Sequence, residues 1–170
     1  MKMHMPVKFS GTLELNKKLD EETFALLTGL HITTRFARIG LDKEKYGVEG
    51  EFYIPYIPEE WDELKRNYHI VEPKRPPHTQ PSFVCHWQPT QTKSVLQWDD
   101  EWSGDLLPDI QWIEYLIDNV LSPRKYTLNG QATWQSADKI TCGKVIVSNN
   151  KLRVKVGEIK YRSPRADDWT

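Results

Sequence analysis

The sequence predicts an α+β fold, an antiparallel sheet with two helices on one face. Three observations carry this. Several short segments alternate apolar and polar residues at period two, while residues 110–121 repeat at helical spacing. The segments run strand, helix, strand, strand, helix, strand, and a hairpin follows. That is the ferredoxin-like order, here with an extra C-terminal β-hairpin.

The first strand covers Phe9 to Asn16, where Phe9, Gly11, Leu13 and Leu15 alternate with Ser10, Thr12 and Glu14. Asp20 is a good N-cap for the helix that follows. Glu21 and Glu22 complement its dipole, Phe24, Leu26, Leu27 and Leu30 form its apolar stripe, and Gly29 is expected to close or fray it. Phe83–Gln88 and Ser94–Trp98 form a hairpin around 89–93. Pro108 opens the second helix at its first position. Ile110, Ile113, Leu116, Ile117, Val120 and Leu121 give that helix the clearest period in the chain, and Pro123 ends it. Tyr126–Trp134 reads as a strand with a turn- or bulge-prone Asn129-Gly130. Lys144–Val147 and Leu152–Val156 pair through 148–151, because Asn149 and Asn150 tolerate the positive φ of a tight turn.

Residues 33–82 are a long irregular excursion. A short strand is expected within 46–55 and a short helix over Pro58–Arg66, before four prolines between Pro73 and Pro81 impose an extended path. The excursion lacks the apolar residues for a core of its own, so 1–170 reads as one domain, with 157–170 a flexible tail. Long loops in such folds are where function concentrates.

The bulk numbers exclude several classes. At 170 residues and 38% hydrophobic the chain can bury a core, and no run reaches the ~20 apolar residues of a membrane span. The first eight residues lack the apolar region of a secretory signal. Cys85 and Cys142 are too few and too far apart for a disulfide framework, so a cytoplasmic location is expected.

The net charge of −1 hides an asymmetry. Residues 139–165 hold eight Lys and Arg against Glu158 alone, a net +7; residues 166–170 carry −2 and residues 1–138 carry −6. In the last strand Arg153 and Lys155 face away from Leu152, Val154 and Val156, which are expected on the core side. Lys144, Lys151, Arg153 and Lys155 are therefore candidate anion- or phosphate-binding residues, for nucleic acid, a nucleotide or an acidic protein surface. They serve equally to guard an exposed sheet edge against stray pairing. Trp87, Trp98, Trp112 and Tyr115 are expected in the core, whereas Trp61, Trp102 and Trp169 stand in polar surroundings; Trp61 and Trp102, with Tyr53 and Tyr56 of the excursion, are candidate interface anchors.

No catalytic residue is assigned, and no cofactor. GxSxG, HExxH and a glycine-rich phosphate loop do not occur. His4, His31, His69, His78 and His86 have no metal-site spacing, and no metal is assigned. The run Asp99-Asp100-Glu101, with Asp105 and Asp109, could supply carboxylates to a metal-dependent hydrolase, but reads first as a solvated loop capping a helix.

Leu15–Thr23, Lys45–Tyr53, Trp112–Ile117, Tyr126–Gly130 and Trp134-Gln135 resemble stretches of a small bacteriophage and prophage protein family. The resemblance covers about residues 9 to 156. It implies a phage origin and a site of action in the host cytoplasm, and it carries over no catalytic residue. Relatives often have an acidic stretch after the Trp-Gln pair, whereas this chain reads Ser136–Cys142. The reading that follows is a non-catalytic binding protein, a host-directed inhibitor of counter-defence type acting on a host protein. The alternatives are a binder of nucleic acid or a cyclic nucleotide, and a metal-dependent hydrolase. No membrane partner is expected, and a homodimer is compatible with the charge polarity.

Overall fold

The computed structural model describes residues 6–32, 37–38, 70–72, 80–99, 101 and 104–160. Strand β1 (Pro6–Leu15) is followed by helix α1 (Glu21–Ile32), strands β2 (Ala37–Arg38), β3 (Ile70–Glu72), β4 (Trp87–Pro89), β5 (Val95–Trp98) and β6 (Gly104–Asp105), and helix α2 (Leu106–Tyr115). A π-helical turn (Leu116–Leu121) continues α2, and β7 (Leu128–Ser136), β8 (Thr141–Ser148) and β9 (Lys151–Glu158) complete the order. Seven strands form one antiparallel sheet in the order β4-β5-β1-β7-β8-β9, with β6 also pairing β1; β2 and β3 pair separately. Because β5 lies between them and runs against both, β1 and β4 point the same way.

Alternation explains the sheet's two faces. In β1, Val7, Phe9, Leu13 and Leu15 are buried, while Lys8, Ser10, Thr12 and Glu14 are exposed. The buried set joins Leu27 and Leu30 of α1, Ile110, Trp112 and Ile113 of α2, and Ala132, Trp134, Val145 and Val147 in one core. Both helices therefore cover the same face, and the opposite face of the sheet stays open.

Two glycines fit β1 against β7. Gly11 has φ +125° and Gly130 φ +129°, a region closed to other residues. A Cβ on Gly11 would lie 2.6 Å from the Gln131 carbonyl oxygen, and one on Gly130 would lie 2.6 Å from that of Thr12. The Asn129-Gly130 pair is thus neither a turn nor a bulge: the β1–β7 register runs unbroken from Val7↔Ser136 to Leu15↔Leu128.

Asp20 caps α1 as expected. Its Oδ1 accepts from the Thr23 N–H at 2.7 Å and its Oδ2 from the Tyr126 hydroxyl at 2.8 Å. Gly29 does not end the helix, which runs to Ile32 with Gly29 buried inside it. The last turn is tied down instead: the Cys85 N–H donates to the Leu30 carbonyl at 3.0 Å, and His31 Nδ1 donates to the Cys85 carbonyl at 2.9 Å. These tertiary bonds outweigh the propensity cost of about 1 kcal/mol for a glycine. Pro108 stands third in α2 rather than first, still within the turn whose N–H groups lack helical partners. The expected apolar stripe of α2 is buried throughout, although its last part widens to i→i+5 bonding, as in Ser122 N–H to Ile117 O at 2.9 Å.

Trp87 and Trp98 are cross-strand partners in the β4–β5 hairpin, 5.6 Å apart, with Phe9 packed on both. Asn149 (φ 49°) and Asn150 (φ 62°) make the two-residue turn between β8 and β9, and Asn150 also accepts from the Leu128 N–H at 2.6 Å. β9 continues through Glu158, two residues past the expected strand end. The strand expected within 46–55 and the helix over 58–66 lie outside the described residues. Among the described residues no helix is long and apolar enough to cross a membrane.

Candidate binding face

Strand parity builds the open face. Residues opposite one another in register share a face. One row therefore runs Gln88, Gln97, Thr12, Gln131, Ile146, Arg153 across six of the seven strands, and its neighbour runs Ser10, Thr133, Lys144, Lys155. Adjacent strands are about 4.8 Å apart, so the longer row spans roughly 24 Å. Among the described residues this face is mostly polar and charged, with Ile146 in its longer row and no aromatic ring, because Phe9, Trp98 and Trp134 all point into the core.

The cations collect at one end. Lys151, Arg153 and Lys155 are exposed on β9, and Lys144 is half-buried on β8 directly opposite Lys155. Like charges directly opposite across a ladder are mutually destabilising. The four predicted anion-binding residues are thus brought together on one surface. Lys8 and Lys139 border a hollow of about 320 Å³ at the same sheet's corner, lined also by Val7, Gln135, Ser136 and Ala137.

The apolar side of β9 corrects the sequence reading. Val154 and Val156 face the helix side, yet they are 41% and 68% exposed rather than in the core. The strands that the helices contact most are β4 and β6, not β9. Opposite Val156 stands Gly143, where a Cβ would lie 2.7 Å from the Trp134 indole, so β8 offers Val156 no side chain to pack on. An exposed apolar strip therefore borders the basic face along one edge strand.

The second polar cluster is at the other end of the sheet. His31 Nε2 lies 3.2 Å from Asp99 Oδ2, and His86 Nδ1 lies 2.9 Å from Asp109 Oδ1. Both His31 nitrogens face acceptors, the Cys85 carbonyl and the Asp99 carboxylate. Burial pushes the Asp109 carboxyl above its ordinary pKa, and the His86 hydrogen bond and charge oppose that rise. Asp109 is 1% exposed and its Oδ2 has no hydrogen-bond partner. Gly104 closes the space beside it, since a Cβ there would lie 2.1 Å from Oδ2 and 2.3 Å from the Trp98 ring. These pairs tie α1 to the end of β5 and the start of β4 to α2. Asp99 and Asp109, offered from sequence as hydrolase carboxylates, each hold a histidine, and among the described residues no three His, Cys, Asp or Glu side chains converge as a metal site would need.

The predicted interface anchors Tyr53, Tyr56, Trp61 and Trp102 lie outside the described residues. Sequence reasoning missed the polar row from Gln88 to Arg153. The period-two pattern of β1 and β7 carries the signal, but the row becomes visible only once the strand order and registers are known. Comparison with protein-family models, with curated proteins and with solved structures gives no match.

Proposed function

We propose that the chain is a binding protein that engages the acidic surface of a partner protein through the β8–β9 corner of its sheet. One observation carries the reading: a cluster of cations and an exposed apolar strip meet along the same edge strand. Edge protection accounts for charges on β9, but not for Lys144, which is on the next strand inward and faces Lys155 at an electrostatic cost. A charged rim beside an apolar strip matches the anatomy of protein interfaces. The strand order supports a ferredoxin-like core extended by this hairpin. The resemblance to phage proteins supports a host-directed inhibitor working in the host cytoplasm by stoichiometric capture, of counter-defence type.

The test is affinity capture from bacterial host lysate with wild type and a Lys144→Glu/Arg153→Glu/Lys155→Glu variant. The expected result is one partner recovered in equimolar amount by wild type and lost by the variant. Equal recovery by both, or none by either, refutes the reading.

A second reading is favoured by the Lys144–Lys155 pair alone: a phosphate-bearing ligand, nucleic acid or nucleotide. Four phosphate contacts would make affinity fall about 100-fold between 50 and 200 mM salt. The absence of an aromatic ring on the described open face removes the usual platform for base stacking. Titration with DNA, RNA and cyclic nucleotides at low salt separates the two, and the protein reading expects no saturable binding.

A further inference from the structure

The outer side of β9 carries unused strand chemistry. The Ile159 N–H donates to the Ile140 carbonyl at 2.8 Å, and bonding alternates along an antiparallel pair, so the odd-numbered residues of β9 bond to β8. The N–H and C=O groups of Leu152, Val154, Val156 and Glu158 therefore point away from the sheet. Among the described residues no strand pairs with that side. β9 is eight residues long, and Lys151 and all of Arg153 to Glu158 are exposed.

We propose that β9 accepts an extended segment of a partner protein as an added strand, and that acidic and apolar residues alternate in that segment. The proposal rests on the binding-protein reading above and specifies its mode. Backbone hydrogen bonding supplies affinity in strand addition, and alternate side chains supply specificity. On the open face the new strand's residues lie beside Lys151, Arg153 and Lys155, where carboxylates are complementary. On the helix side they lie beside Val154 and Val156, where apolar side chains cover surface that the chain leaves in water. In the register centred on Val154 a second copy fits worse: antiparallel pairing of β9 with itself sets Arg153 opposite Lys155 in both directions. Nucleic acid has no backbone amide ladder to offer, and no use for the valines.

The probe is a capped eight-residue peptide alternating Glu and Val, titrated into the isotope-labelled full chain and followed by backbone amide signals. A control peptide carries the same residues in two blocks. The alternating peptide should bind at least about tenfold tighter than the control, and the outward amides of Leu152, Val154, Val156 and Glu158 should gain protection from exchange. Val154→Pro removes an outward N–H without breaking a β8 bond, and should weaken binding about tenfold or more. Methylating alternate backbone nitrogens of the peptide should do the same without touching the protein. Equal binding of both peptides, or indifference to Val154→Pro and to methylation, overturns strand addition. Self-association that Val154→Pro abolishes also overturns it, by assigning the edge to a second copy. If the peptide fails while the charge-reversed variant still loses its lysate partner, strand addition falls and the binding reading stands.

Discussion

Replacing His86 with alanine removes the side-chain hydrogen bond to the buried Asp109 carboxylate. Asp109 is 1% exposed, its Oδ1 takes a 2.9 Å bond from His86, and its Oδ2 has none. Burial already raises this carboxyl above 3.8, with His86 pulling it back. Without the ring, the opposition weakens and the folded pKa climbs further. A carboxyl whose folded pKa exceeds its unfolded value favours the folded state fully below the unfolded pKa, and that advantage is lost as pH rises through the folded one. His86→Ala should therefore cost about 3–5 kcal/mol near pH 8 and clearly less near pH 4, as expected for a buried pair losing one partner. Asp109→Asn in the same background removes the charge and should recover about half of the loss. Urea unfolding followed by tryptophan fluorescence, on wild type, both single variants and the double, reads this directly. The cycle also cancels whatever else His86 contributes. A loss under about 1 kcal/mol near pH 8, a loss that does not vary with pH, or no recovery by Asp109→Asn would refute the reasoning.

Three further outcomes follow from the fold. Gly11→Ala and Gly130→Ala should each destabilise by at least about 3 kcal/mol in urea titrations, since the new Cβ meets a carbonyl oxygen at 2.6 Å in a backbone region closed to alanine. Asp20, whose hydrogen bonds from the Thr23 N–H and then from Tyr126 lower its pKa from 3.8 to about 2, contributes stability above pH 3.8 that is lost as pH falls through 2. Asp20→Ala should lower the melting temperature by about 2–4 °C at neutral pH and by less near pH 2. Leu13→Ala, at a site with 0% exposure, should cost about 2–5 kcal/mol, whereas its neighbour Thr12→Ala on the open face should stay within about 0.5 kcal/mol by the same chemical denaturation.

Local chemistry made most elements legible: the alternation of β1, the Asp20 cap, the stripe from Ile110 to Leu121 and the Asn149-Asn150 turn are all written in adjacent residues. Gly29 misled because its cost is local, while the bonds that hold the helix's last turn join Leu30 and His31 to Cys85, 54 residues beyond His31. The basic cluster was legible because β8 and β9 are joined by a two-residue turn. Its full setting was not. That Val154 and Val156 stay exposed on the helix side depends on how far the helices reach across the sheet, and the His–Asp pairs join segments 68 and 23 residues apart. Such facts depend on topology, which no short window of sequence contains.

The position of β1 sets a timetable for synthesis. It precedes the other described strands in the chain, yet it lies mid-sheet between β5 and β7 and pairs residue by residue with 128–136. On the ribosome its apolar face must wait until most of the chain has emerged before either neighbour is complete. A domain wired this way closes late and as one unit, and its early intermediates expose a sticky central strand to whatever else is in the cell.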